Sequence, residues 1–241
     1  MKNALLYLAL LGGLPATALA QTPARPAPTA AELKKNLALV AGCIDGESDA
    51  TDNLISKTAH QLLTYLKTHE VTATAAKNMG LGYLDSKDAA HLKVFSYTYS
   101  SGGTRGDITN NVFQWKNPAG QLFVYAAHEE GGLNEIYKLA SPGRTQYLLL
   151  GTEQGSSICM RGLAWLVELK GDYLLLDDKA FDNKPTVDIC NVKATYDARR
   201  QTLTMAGDSD WGTPDVYAAH LGHPFKPFTL YFSQGRFVRK K

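Results

Sequence analysis

Two carboxylates, Asp208 and Asp210, and two imidazoles, His220 and His223, stand close together in the last part of the sequence. Zinc takes two His with a carboxylate and leaves a position open where it is catalytic, so this cluster would suit a metal-dependent hydrolase. The spacing argues the other way. His220-Leu221-Gly222-His223 is not the helical His-x-x-x-His of the metalloproteases, and Gly222 and Pro224 oppose a helix there. The Asp208-x-Asp210 portion also falls short of a calcium loop, because Gly212 stands where a third oxygen ligand belongs and no Glu completes the set. Asp, Ser and Gly in this order more often make a turn, with the His on a surface loop. Asp208, Asp210, His220 and His223 are kept as candidate ligands only, and no cofactor is expected.

The other polar clusters read similarly. His128-Glu129-Glu130 would do acid–base work if a cleft raised one carboxyl pKa, but before Gly131-Gly132 such charges more often face solvent. Gly155-Ser156-Ser157 lacks the Gly-x-Ser-x-Gly spacing of a hydrolase elbow. Ser101-Gly102-Gly103-Thr104-Arg105-Gly106 lacks the Gly-Lys-Ser/Thr ending of a phosphate loop and reads as a connection between strands, with an anion nest around Arg105 as the sharper alternative. Aromatic residues open a different class of function. Tyr97, Tyr99, Trp115 and Trp211 lie on or near expected strands. An exposed row of them would stack on sugar rings or anchor a protein partner, whereas cross-strand pairing in a core is their commoner use.

The N-terminus bears on where such chemistry would happen. Met1-Lys2-Asn3 is a short positive region, Ala4 to Leu14 is almost wholly apolar, and Ala18 and Ala20 are small, so cleavage after Ala20 is expected. The apolar run is too short for the roughly 20 residues of a membrane span. A periplasmic or secreted protein with no membrane span is the expectation. Charge is nearly balanced, 25 Lys+Arg against 23 Asp+Glu, which argues against a nucleic-acid partner. In an oxidising compartment two of the three cysteines can pair. Cys159 and Cys190 lie near the ends of an intervening hairpin and are the favoured pair; Cys43 sits on the first expected helix, where a buried thiol is ordinary.

The elements that must position these residues fall into two textures. Pro23, Pro26 and Pro28 make an extended linker. Thr29 and Glu32 have the spacing of a capping box, and Leu33, Leu37, Val40, Ala41 and Ile44 follow at helical spacing until Asp45-Gly46. A second helix is expected from Thr51 or Asp52, with Leu54, Ile55, Ala59, Leu62, Leu63 and Leu66 on one stripe. The two should form an antiparallel pair or lie across a sheet. From Val71 to Ala90 a short helix is allowed and Gly80 and Gly82 interrupt it. After Leu92 the period becomes two, and turn signals at Asn117–Gly120, Ser141-Pro142-Gly143, Lys170-Gly171-Asp172, Asp197–Arg199 and Ser233-Gln234-Gly235 punctuate apolar runs. About ten or eleven strands are too few for a propeller.

Val94–Tyr97, Ser101–Thr104, Asn111–Trp115, Ile136–Leu139 and Tyr147–Gly151 together resemble exported proteins of Gram-negative bacteria that have no assigned activity. The resemblance implies an envelope or secreted location and a β-rich body, and it carries no site residue. The expected architecture is α+β and mainly β: signal peptide 1–20, Pro-rich linker 21–29, helical segment 30–90 packed on the sheet, and antiparallel β domain 91–241 closed as a barrel or sandwich. The expected function is a noncatalytic binding or interaction module, its partner a carbohydrate or another envelope protein. A secreted hydrolase using Asp208–His223 and a structural envelope protein are the alternatives.

Overall fold

The computed structural model describes residues 27–127, 130–214 and 225–240. The expected signal peptide, most of the linker, His128, Glu129, His220 and His223 lie outside them. Three helices precede the sheets, α1 (Ala30–Val40), α2 (Asp49–Thr68) and α3 (Ala73–Met79). The capping box at the start of α1 is complete: Glu32 N–H donates to Thr29 Oγ1 (3.2 Å) and Thr29 N–H donates to Glu32 Oε2 (2.8 Å). α1 ends at Val40, four residues short of the apolar stripe that continued to Ile44. The backbone there finds better partners in a strand, since Ser100 N–H donates to the Cys43 carbonyl and Asp45 N–H to the Ser100 carbonyl. α1 and α2 are tied by Asn36 Nδ2 donating to Gln61 Oε1 at 2.7 Å.

The first sheet is an antiparallel meander of β1 (Gly82–Asp85), β2 (Lys93–Ser100), β3 (Asp107–Lys116) and β4 (Leu122–Ala126), in that order. α3 and β1 fall in the Val71–Ala90 stretch, where a short helix interrupted by Gly80 and Gly82 is expected, so the 30–90 segment carries a strand as well as its helices. Gly80 ends α3 in the left-handed conformation (φ 84°), and Gly82 then lies so close to Ser96 that any Cβ would collide with its hydroxyl. The second sheet holds β5 (Gly132–Lys138), β6 (Thr145–Ser156), β7 (Cys159–Lys170), β8 (Tyr173–Leu176), β9 (Thr186–Cys190), β10 (Val192–Asp197), β11 (Thr202–Gly207), β12 (Phe228–Ser233) and β13 (Arg236–Arg239). Its path runs β13-β12-β11-β10-β7-β6-β5, with β8 and β9 also paired to β7. Among the described residues neither sheet closes on itself, so the barrel expectation finds no support. The chain is mainly β, in stacked layers.

Three cores hold the layers together. Leu33, Leu37, Ile55, Leu62 and Leu66 of the helices meet Phe95, Tyr97, Tyr99, Ile108 and Val112 on one face of the first sheet. Its other face, with Val94, Phe113 and Trp115, packs on Tyr147, Leu149, Trp165 and Val167. The intervening residues Leu148, Leu150, Ala164 and Leu166 point the opposite way, onto Leu203, Met205, Leu230 and Phe237 of the folded-over strands. β6 and β7 are therefore buried on both faces. That is why Tyr147–Leu150 and Leu163–Val167 read as continuous apolar runs while most other strands alternate.

The fold-over is made at one point. β10 meets β7 in parallel through Val192 and Arg161, and among the described residues the other pairings between these strands are antiparallel. Next to that joint Cys159 and Cys190 form the expected disulfide, with Cα atoms 5.0 Å apart and a separation of 31 in sequence. A loop of this size is worth about 2–4 kcal/mol. Cys43 is free and half-buried, its Sγ donating to the Leu39 carbonyl. Asn191, 2 % exposed at φ 57°, completes the joint. Its Oδ1 accepts from Met160 N–H, and its Nδ2 donates to the carbonyls of Ile158 and Thr213. The outer edge of β13 is covered by Ala180–Asp182, through Phe237 N–H to the Ala180 carbonyl and Asp182 N–H to the Phe237 carbonyl.

Candidate binding cleft

The structure disperses most of the residues that looked chemical. Asp208 caps a single turn of 3₁₀-helix, Ser209–Trp211, by accepting from Asp210 N–H at 3.0 Å; its other oxygen lies 3.8 Å from Lys193 Nζ. Among the described residues no three His, Cys, Asp or Glu side chains come together as a metal site. Tyr97, Tyr99 and Trp115 are 8 %, 9 % and 3 % exposed and belong to the cores, so they do not form an exposed row. Burial, with Tyr99 nearby, pushes the Tyr97 hydroxyl up to about 12. Trp115 is stacked on Phe123 and donates from Nε1 to the Gly171 carbonyl. Trp211 alone of the four stays on the surface, half-buried. Arg105 is no anion nest: its guanidinium is shared by Glu130 and Glu153, and Glu153 also takes Arg161. Glu130 is thereby a partner in an ion-pair chain.

A different place does gather polar side chains around an opening. It lies at the open end of the core between β6 and the folded-over strands, where three connections meet. Ser141-Pro142-Gly143-Arg144 joins β5 to β6, with the Pro-Gly signature of a type II turn, φ 72° at Gly143 and Arg144 N–H donating to the Ser141 carbonyl. Gln234 and Gly235 join β12 to β13 with φ of 51° and 81°, the two positive values of a type I′ hairpin. Gln201, at φ 50°, ends the β10–β11 connection and accepts from Phe232 N–H through its carbonyl.

One buried side chain braces these turns. Gln146, 1 % exposed, donates from Nε2 to the Gly235 carbonyl (3.1 Å) and accepts at Oε1 from Ser141 Oγ (2.7 Å). Arg144 lies flush on Gly235, leaving no room for a Cβ there. Its Nε donates to Glu168 Oε2 at 2.8 Å and Nη2 joins the same oxygen. The hydrogen bond that Arg144 donates to Glu168, outweighing burial, holds the Arg144 pKa above its ordinary value, so the guanidinium is charged at any working pH.

Between the turns opens a cleft of ≈ 280 Å³ lined by Ser141, Arg144, Gln201, Phe232, Gln234 and neighbouring backbone. Phe232 packs on the buried Phe237 with ring centroids 5.1 Å apart and gives the cleft an apolar side. Gln201 Oε1 is an acceptor without a partner. Both turns are marked in the sequence by Ser-Pro-Gly and Ser-Gln-Gly, but Gln146 and Gly235 are 89 positions apart and no local pattern joins them. Comparison with family models, curated proteins and solved structures finds no match for this chain.

Proposed function

We propose that this protein is an exported, noncatalytic binding module that holds a small polar ligand in the cleft between the Ser141–Arg144 and Gln234–Gly235 turns. The observation that carries the proposal is the convergence of three connections on one braced opening whose lining is hydroxyl, amide and guanidinium beside an aromatic ring. Such a mixture of a few fixed polar groups with one apolar wall is how small-molecule sites orient what they bind. Export is supported by the N-terminal pattern and by the disulfide, which persists in oxidising compartments. No helix among the described residues is long and apolar enough to cross a membrane.

The test is a titration of ¹⁵N-labelled protein with neutral sugars, acetate, inorganic phosphate and free amino acids. At least one class should shift the backbone amides of Ser141, Arg144, Gln201 and Gly235 in a saturable way. Silence at these amides across every class would remove the cleft as a binding site.

A further inference from the structure

We infer that the ligand of this cleft is a single neutral sugar ring, a deepening that rests on the binding reading above. Charge is the first reason. Arg144 is the one guanidinium among the described residues that line the cleft, and Glu168 already takes its Nε and Nη2. Asp177, which also faces Arg144 and is held by Arg236, adds a second negative group close by. Arg144 is paired with Glu168 and Arg236 with Asp177, so an anionic ligand would meet no uncompensated positive charge and the cleft offers it little.

The second reason is the donor and acceptor character of what remains. Gln201 and Gln234 bring side-chain amides to the cleft and Ser233 a hydroxyl that donates and accepts, while Ser141 Oγ, its proton given to Gln146, remains an acceptor. Ring hydroxyls on a sugar have this dual character, whereas a carboxylate only accepts and an ammonium only donates. Phe232 supplies the apolar side that a sugar's C–H face packs on. Size sets the third limit. A volume of ≈ 280 Å³ lies just under the roughly 300–1,000 Å³ of drug-sized pockets, which suits one ring held between two turns better than a chain.

The experiment titrates the folded protein with glucose, galactose and N-acetylglucosamine, and in parallel with acetate and inorganic phosphate, reading amide shifts by NMR. Two variants, Gln201→Asn and Gln234→Asn, draw each amide back by one methylene. Asn tolerates positive φ at least as well as Gln, so both turns keep their conformation. The expected result is saturable binding of a neutral sugar, weakened about fivefold by each variant with no change in melting temperature. Binding of phosphate or acetate with no response to any sugar would overturn the sugar assignment and leave the cleft as a site. No response to any of these probes or to free amino acids would overturn both. Sugar binding unaffected by either variant would place the sugar elsewhere and overturn the assignment as well.

Discussion

Glu70 receives two lysines from different strands, Lys93 from β2 and Lys116 from the end of β3, at 3.0 and 2.6 Å. Lys93 is 5 % exposed and also donates to the Val71 carbonyl, so this carboxylate fastens the end of α2 to the first sheet. The hydrogen bonds from Lys116 and then Lys93 lower its pKa from 4.5 to about 2. A depressed carboxyl pKa stabilises the fold above its unfolded value, and the contribution fades as pH falls from about 4.5 towards 2. Glu70→Gln should therefore lower stability at pH 7 by about 1 kcal/mol, the modest figure set by a side chain 39 % exposed. Melting curves at pH 7 and pH 2.5 would check it: the gap between wild type and variant should narrow at the lower pH. An equal gap at both would mean the ion pairs contribute nothing. The partners of Glu70 are not legible in the sequence, because Lys93 and Lys116 meet it only through pairing of Lys93 with Gln114 across β2 and β3. The aromatic candidates show the same limit. Alternation marks Tyr97 and Tyr99 as strand residues, but helices cover the face they point to.

At the level of elements, local chemistry was the best guide. The capping box at Thr29, the turns at Asn117–Gly120, Ser141–Gly143, Gly171 and Gln234-Gly235, and the Cys159–Cys190 pair are all where residue type and spacing put them. Each depends on a few neighbouring residues, or on a hairpin that folds two ends together. β1 escaped notice because it is short and its pairing depends on Ser96, a residue in another strand. The type I′ turn offers a direct test of how the cleft is built. Gly235→Ala adds a methyl at φ 81° and drives it into Arg144. Gly120→Ala adds one at φ 79° with open space around it. Both should lose about 1–3 kcal/mol from backbone strain. Gly235→Ala should lose more, because Arg144 must leave its seat beside Glu168. Urea denaturation of the two variants measures the difference, and equal losses would show that Arg144 does not rest on Gly235.

Across the whole molecule, the order of layers could not be read from the chain. The apolar runs of β6 and β7 signal burial on two faces, but which partners cover each face is decided by long-range pairing. The cleft shares that origin, since it exists only because β12 and β13 fold back over the start of β6. The joint at Val192 and Arg161 sets the mechanics of this fold-over. Native-state hydrogen exchange should find β10, β11, β12 and β13 opening together at lower free energy than β6 and β7. Adding a reductant should bring β9 into the opening unit, and protection of β9 unchanged by reductant would contradict this. A tear begun at the C-terminal hairpin can unzip rung after rung, yet at Asn191 it runs into sulfur. In an oxidising milieu damage is contained in the last quarter of the chain. Once the thiols are freed, the rip can travel on into strands that serve two cores at once.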